Sequence, residues 1–467
     1  MKTFHIETVG CQMNVLDSEL VTASLLREGY QYTSSMKKAD ILLFNTCSIR
    51  QHAEDKIYSA LGRLKNVKET YPEKIYGVIG CMAQKEAGTL FRRAPHLDLV
   101  VGPGQIARIP ELIHKIENGE GPQMELSLER KGRNRHDVES SYDFFDAGRE
   151  KVARQNPYQA YVRIMFGCDQ FCTYCIVPLV RGPEQSRNTD EILAEVRQLV
   201  DQGCREITLI GQTVSKFYDT TTGTPLSGLL EKVEAIAETT PLERIRFVTS
   251  HPNSMMPDLL AAVRDLPHVM PYFHIPAQSG SNAVLQRMRR GYTVEKYREV
   301  LAAIRETVPN AAITSDFIVG FCGETEEDFQ ETVRLVEESR FKNSYIFKFS
   351  PREGTRAFEQ LEDDVPEPVK RRRNNELLAV QNRISEEDSR AFLGREVEIL
   401  VEGTSKTQAS ELVLIGEEKM SEKVQLTGRT PCDRIVVFDG PMEWVGTLQK
   451  IRITQTSPFT LFGERRT

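Results

Sequence analysis

The stretch "FGCDQFCTYCIVP", residues 166–178, sets Cys168, Cys172 and Cys175 in the spacing CxxxCxxC. A structural zinc site wants four closed ligands, commonly in two separated pairs. No second pair follows at that spacing, although His251 and His274 could complete a set by count. A [4Fe-4S] cluster held by three thiolates instead leaves one iron open to a substrate or cofactor. Three further cysteines stand far apart: Cys11 in "VGCQMN", Cys47 in "NTCSIR" and Cys81 in "IGCMAQ". Buried structural cysteines would give the same pattern, since free cysteine is among the most buried residue types. Their polar neighbours Gln12, Asn14, Asn45 and Arg50 suit the mouth of a site better than a core.

The elements that must position these thiols show in the hydrophobic pattern. In residues 1–118 the apolar runs "KTFHIETVG", "ADILLFNTC", "KIYGVIGC" and "LDLVVGPG" alternate with helical stretches, as in an open α/β sheet. In such sheets the carboxyl ends of the strands share one edge where ligands bind, and Cys11, Cys47 and Cys81 each sit at such an end. One helix is expected to begin near Ser18, with the cap-type Asp17 in front, and to stop at Gly29. Residues 119–156 are polar and without period, which reads as a linker.

From 157 to 390 six strand and helix units follow, with strands in "AYVRIMF", "EITLIGQ", "ERIRFVTS", "MPYFHIP", "AAITSDFIVG" and "NSYIFKFS". That is short of the eight of a closed barrel and fits an open (β/α)6 barrel. CxxxCxxC directly follows the first strand, where a barrel enzyme places its chemistry, and this position favours the cluster over zinc. Small and amide residues at other strand ends, Gly211, Gln212, Gln278, Ser279 and Gly320, could approach a nucleoside and bond its polar edges. After a helical stretch carrying the basic run Lys370 to Arg373, residues 391–467 break into short alternating segments bounded by turns, as in a small antiparallel barrel.

The motifs "GCQMN", "NTCSIR", "GCMAQ", "GCDQFCTYCIVP", "RGPEQSR", "HIPAQSGS", "RMRRGYT" and "GFCGETEEDF" occur in the order seen in the radical S-adenosylmethionine (SAM) methylthiotransferase family, which the chain resembles over nearly its whole length. The resemblance implies two [4Fe-4S] clusters. Cys168, Cys172 and Cys175 would hold the one whose open iron chelates SAM, and Cys11, Cys47 and Cys81 an auxiliary one that carries sulfur. It implies that a first SAM methylates that sulfur and a second yields a 5′-deoxyadenosyl radical. A methylthio group then replaces hydrogen at an unactivated adenine C2 in tRNA, next to the anticodon. "GCQMN" and "LTGRT" favour N6-(dimethylallyl)adenosine as substrate over the threonylcarbamoyladenosine or the ribosomal-protein aspartate that relatives modify. Arg181, Glu184, Gln185 and Arg187 follow the cluster loop and could meet SAM or substrate. The last segment resembles a TRAM domain, an RNA-binding module. Within it Arg429, Arg434, Lys450 and Arg452, with Phe459 and Phe462, could offer phosphate contacts and stacking surfaces. Cys322 stands where the family usually has proline; it, Cys204 and Cys432 are not expected to be ligands. Leu179, Ala277 and "SKFY" at 215–218 also depart from the family pattern. An electron donor and a sulfur donor are implied without being identified.

Composition agrees with an enzyme of two or three domains. The chain has 467 residues, 40% hydrophobic and 27% charged, and a net charge of −7, so nucleic acid must be met by local basic patches. No apolar run approaches the ~20 residues of a membrane span, and "MKTFHIETVG" lacks a signal peptide's apolar core. A cytosolic location is expected, where nine cysteines remain thiols. A simple electron carrier would not need the barrel, and a simple RNA-binding module would leave six placed cysteines idle.

Overall fold

The computed structural model describes residues 1–48, 51–126, 151–405 and 424–465. The expectations that fell on Arg50 and on residues 127–150 lie outside these.

The first unit is a parallel sheet of β1 (Thr3–Val9), β2 (Gln31–Tyr32), β3 (Ile41–Thr46), β4 (Ile75–Ile79), β5 (Leu99–Val101) and β6 (Gln123–Glu125), in the order β2-β1-β3-β4-β5-β6. Its central strands β3 and β4 are buried along their whole length, as continuous apolar runs require when both faces are covered. Ile41 and Leu43 face α1 (Gln12–Arg27) and α4 (Ile109–Glu117). Leu42 and Phe44 face α2 (Gln51–Thr70) and α3 (Cys81–Arg93). Two details differ from the sequence reading. The sheet takes its sixth strand, β6, from the stretch expected to be linker. Helix α1 begins at Gln12 rather than near Ser18, because the Asn14 side chain turns back to accept from the Cys11 amide at 3.3 Å. Asp17 is therefore inside the helix.

The second unit contains all six expected strands in order: β7 (Gln159–Arg163), β10 (Glu206–Ile210), β13 (Arg244–Phe247), β14 (Tyr272–His274), β15 (Ala312–Val319) and β16 (Asn343–Lys348). They pair in parallel as β7-β10-β13 and β14-β15-β16, and a parallel bridge between Ile245 and Val269 joins the halves. Short antiparallel partners β8 (Met165–Phe166) and β9 (Gln185–Ser186) bracket the loop that carries CxxxCxxC, and β11 (Tyr218–Asp219) pairs with β12 (Thr224–Pro225). The helices are α5 (Val177–Val180), α6 (Thr189–Asp201), α7 (Leu226–Ala237), α8 (Pro257–Asp265), α9 (Asn282–Arg287), α10 (Val294–Thr307), α11 (Glu326–Ser339), α12 (Arg356–Gln360) and α13 (Glu367–Arg390). Along the strands the side chains alternate with period two. Val162, Leu209, Phe247 and Phe317 pack into the core with the helices. Arg163, Thr208, Arg246 and Asp316 take the opposite face, which is the polar inner wall of the open barrel.

The third unit is a closed barrel of β17 (Glu396–Thr404), β18 (Val424–Arg429), β19 (Ile435–Gly440), β20 (Leu448–Thr456) and β21 (Thr460–Glu464), filled by Ile399, Leu426, Phe438 and Ile451. Its β18–β19 turn plugs the end of the open barrel opposite the cysteine loop. There Arg246 donates to the Thr430 and Pro431 carbonyls at 2.9 and 3.0 Å, and Lys342 meets Asp433 at 3.1 Å. Among the described residues no helix is long and apolar enough to cross a membrane.

Candidate active site

Cys11, Cys47 and Cys81 follow β1, β3 and β4, which are adjacent parallel strands, so the sheet delivers three thiols to one edge. Neighbouring strands lie ~4.8 Å apart. Beneath the thiols Asn14 donates to Asn45 at 2.8 Å, and Asn45 donates to the Asn14 carbonyl and to Ser18, both at 2.9 Å. Gly80 adopts φ +86°, and a Cβ there would lie 2.4 Å from the Asn45 side-chain oxygen, so only glycine lets Cys81 start α3 against this network. A hydrogen bond with Cys47, helped by the Arg181 guanidinium and the Asn14 and Met13 amides against the penalty of burial, brings the Cys11 thiol down to about 6. Burial pushes the Cys81 thiol up, opposed by Arg181.

The second triplet hangs on the β8–β9 loop. Gly167 has φ +58°, and a Cβ there would lie 1.9 Å from the Pro183 carbonyl oxygen, so the loop closes on itself just before Cys168. The Cys168 sulfur lies 3.8 Å from the Thr213 hydroxyl. Thr173, inside the loop, bonds the carbonyls of Met288 and Arg287 at 3.1 and 2.9 Å, which ties the loop to the end of α9. Arg290 then places a guanidinium nitrogen 3.2 Å from the Cys172 sulfur. Burial pushes the Cys168 thiol up, and burial followed by the charge of Cys172 pushes Cys175 up to about 12. Thiols held this way stay protonated until a metal ion displaces the proton, which is released to solvent.

The two triplets are neighbours. Cys81 packs against Ile176, the residue after Cys175, and against Val180. Arg181 donates to the Cys81 sulfur at 3.2 Å and pairs with Asp17 at 2.8 Å, while Arg163 meets the other oxygen of Asp17 at 2.8 Å. Asp17 is fully buried, so α1 of the first unit is pinned to β7 and α5 of the second by a two-arginine clamp.

The donor chemistry suits iron–sulfur clusters. Among the described residues no three Cys, His, Asp or Glu side chains close tightly enough to hold a single metal ion. Each set offers three thiols, the donor set of a [4Fe-4S] cluster with one iron left open. His274 faces Thr314 and Asp316, His251 accepts from the Asn253 amide through Nδ1, and neither is grouped with the Cys168 triplet as a ligand set among the described residues.

Comparison with known proteins agrees with this division. Residues 3–102 match an uncharacterized protein family, UPF0004, residues 162–336 the radical SAM superfamily, and residues 390–465 the TRAM domain. A tRNA-2-methylthio-N(6)-dimethylallyladenosine synthase of Rhodopirellula baltica is 54% identical over 100% of this chain and 96% of its own length. One of Moorella thermoacetica is 39% identical over 99% of this chain and 98% of its own. The chain belongs to the tRNA-2-methylthio-N(6)-dimethylallyladenosine synthase family. The fold is shared more widely. The radical SAM methyltransferase TsrM of Kitasatospora setae, solved with cobalamin and a [4Fe-4S] cluster bound, superimposes with a TM-score of 0.54 at 12% identity over 76% of this chain and 74% of that one.

The remaining expected site residues of this synthase-family chain separate by position. Gly211 and Gln212 follow β10 and lead directly to Thr213, beside Cys168. Gln278, at φ +70°, bonds β15 through its backbone, donating to the Asp316 carbonyl at 2.8 Å. Ser279 is turned inward onto Thr332 of α11 at 3.3 Å, the geometry of a loop residue. The Gly320 amide donates to Glu324 at 2.7 Å. Glu184 pairs with Lys216 at 3.6 Å near the Cys168 loop, Gln185 lies in β9, and Arg187 donates to Glu195 at 2.7 Å. In the last barrel Arg429 pairs with Glu402 and Asp433 at 3.1 and 2.9 Å, and Arg434 with Asp388, whereas Lys450 and Arg452 stand exposed on β20. Cys204 is buried against the Tyr158 and Glu206 carbonyls, and Cys322 is buried as well.

Asp17, Arg163 and Arg290 escaped the sequence reading. Asp17 looks like a helix cap in "DSEL", and Arg290 is one of three arginines in "RMRRGYT" that by composition read as solvated surface.

Proposed function

We infer that the protein is a tRNA-modifying methylthiotransferase that replaces the hydrogen at C2 of N6-(dimethylallyl)adenosine in tRNA with a methylthio group. The observation that carries this reading is the juxtaposition of two thiol triplets, with Cys81 seated on Ile176 and Arg181 spanning from the second loop to the first set. Cys168, Cys172 and Cys175 hold one [4Fe-4S] cluster, and Cys11, Cys47 and Cys81 the other. When bound, these clusters and SAM supply the radical chemistry and the sulfur that no polar side chain can provide.

The chain's own task is placement. The β8–β9 bracket and the Thr173 bonds fix the second triplet at the barrel mouth. Gly211, Gln212, Gln278 and Gly320 form the rim that receives the nucleoside of SAM, and Glu184 with Lys216 closes the side next to Cys168. The Asp17 clamp holds the sulfur-bearing edge over that mouth, so that adenine C2 can be in near-attack contact with both partners. Lys450, Arg452 and the half-exposed Phe459 give the TRAM barrel phosphate contacts and a stacking surface for tRNA. A one-electron donor and a sulfur donor must serve the two clusters from outside the chain.

The test is direct. Protein reconstituted anaerobically with iron and sulfide is incubated with SAM, reductant and tRNA that carries dimethylallyladenosine, and the digested nucleosides are weighed by mass spectrometry. The expected product is the 2-methylthio derivative of that nucleoside. Turnover only on threonylcarbamoyladenosine, or on no tRNA nucleoside, overturns the reading.

A further inference from the structure

Arg290 is buried, with 8% of its surface exposed, and its guanidinium makes four polar contacts. It meets the Tyr292 hydroxyl at 3.1 Å, the Cys172 sulfur at 3.2 Å, the Pro276 carbonyl at 3.2 Å and the Tyr174 hydroxyl at 3.5 Å. None of these is a carboxylate, and among the described residues no carboxylate lies within ion-pair distance of it. Several other buried arginines meet a carboxylate: Arg163 and Arg181 share Asp17, Arg246 pairs with Glu206, and Arg373 with Glu324. A buried cation without a counter-ion is costly. The sequence keeps this one aimed at a thiol of CxxxCxxC, and the Thr173 bonds to Met288 and Arg287 hold the two segments in register.

We propose that Arg290 is a positioning residue that supplies the counter-charge of the cluster on Cys168, Cys172 and Cys175 and, through its N–H···S bond to Cys172, raises that cluster's reduction potential. The proposal rests on the reading that this triplet holds the SAM-binding cluster. Thiolate ligation makes the cluster anionic, and reduction adds one more negative charge. A fixed cation in a low-dielectric site stabilises the reduced form more than the oxidised one, and hydrogen bonds to the sulfurs act in the same direction. Arg181 likewise donates to the Cys81 sulfur, but there Asp17 offsets part of its charge, so each triplet has its own arginine in a different electrostatic setting.

The experiment uses full-length reconstituted protein as wild type, Arg290→Gln and Arg290→Lys. Iron content is assayed, and each cluster is titrated with dithionite under EPR; the signal that changes when SAM is added identifies the Cys168 cluster. In Arg290→Gln that cluster should become at least tenfold harder to reduce, a shift of about 59 mV for one electron, while the other cluster's potential stays in place. Arg290→Lys, which keeps the charge, should shift it less. Cluster loss in the glutamine variant alone also supports the proposal, because it makes the charge essential. An unmoved potential in Arg290→Gln, equal shifts in the two variants, or cluster loss in both overturns it. A wild-type protein with no SAM-responsive signal overturns instead the reading beneath it.

Discussion

A cysteine becomes a cluster ligand when its thiolate is worth more bound than protonated, and the two triplets reach that condition differently. Cys11 is already brought down to about 6 by its hydrogen bond with Cys47, with Arg181 assisting. Cys175 is pushed up to about 12, first by burial and then by its like-charged neighbour Cys172, so its proton leaves only when a metal takes its place. The triplets should therefore fail separately on substitution. Alanine at Cys168, Cys172 or Cys175 should abolish 5′-deoxyadenosine formation, measured by chromatography after incubation with SAM and reductant. Alanine at Cys11, Cys47 or Cys81 should leave some SAM cleavage while removing all methylthiolated nucleoside. Equal loss of cleavage from both sets would argue against a division of labour.

At the scale of elements, the clamp of Asp17 between Arg163 and Arg181 makes one helix the hinge pin of two units. Asp17→Asn keeps the shape and removes the charge, leaving two guanidinium groups buried against each other. The expected cost is about 3–5 kcal/mol, read from urea denaturation followed by circular dichroism. A change within ±0.5 kcal/mol would show that the clamp is not structural. The cysteine loop carries a second, sharper prediction. Gly167→Ala places a Cβ against the Pro183 carbonyl at a positive φ, so the loop must open. Iron bound by the Cys168 set should fall severalfold while the Cys11 set keeps its own. The same elements show what a sequence makes legible. The strands of both α/β units were readable because their apolar runs and period-two alternation are local properties, and the three thiol-bearing strand ends followed from them. The helix start is not legible because the cap is Cys11 with Asn14, a pairing that propensity does not suggest, while "DSEL" imitates an ordinary cap. The contacts of arginines with the thiols are not legible for a different reason: Arg181 stands out only as a neighbour of the cluster loop, and Arg290 not at all. An arginine's burial depends on a partner 100 or more residues away, as with Arg181 and Cys81 or Arg290 and Cys172, and no local pattern encodes it.

For the molecule as a whole, the last barrel has two sets of basic residues with different duties. Arg429 and Arg434 look inward: they meet Glu402, Asp433 and Asp388 around the turn that plugs the open barrel, where Arg246 and Lys342 reach in from below. Lys450 and Arg452 look outward and close no ion pair among the described residues, although Glu398 and Glu396 stand opposite them on β17. Only cations free to displace counterions from phosphate steepen the salt dependence of RNA binding, each contact contributing a slope of about 0.7 to 0.9. The double variant Lys450→Gln with Arg452→Gln should therefore weaken tRNA binding and flatten the plot of log affinity against log salt by about 1.4 to 1.8. It should leave thermal stability within the small range usual for surface substitutions. Arg429→Gln should do the reverse. It removes one of the partners of Glu402 and of Asp433, which keep Gln159 and Lys342, and lowers the melting temperature, while the salt slope keeps its wild-type value. Filter binding across a salt series and calorimetry on the same preparations separate the two effects. If Arg429→Gln flattened the slope as much as the β20 pair, its ion pairs would have to open on tRNA binding, and the plug at the foot of the barrel would have to move with them.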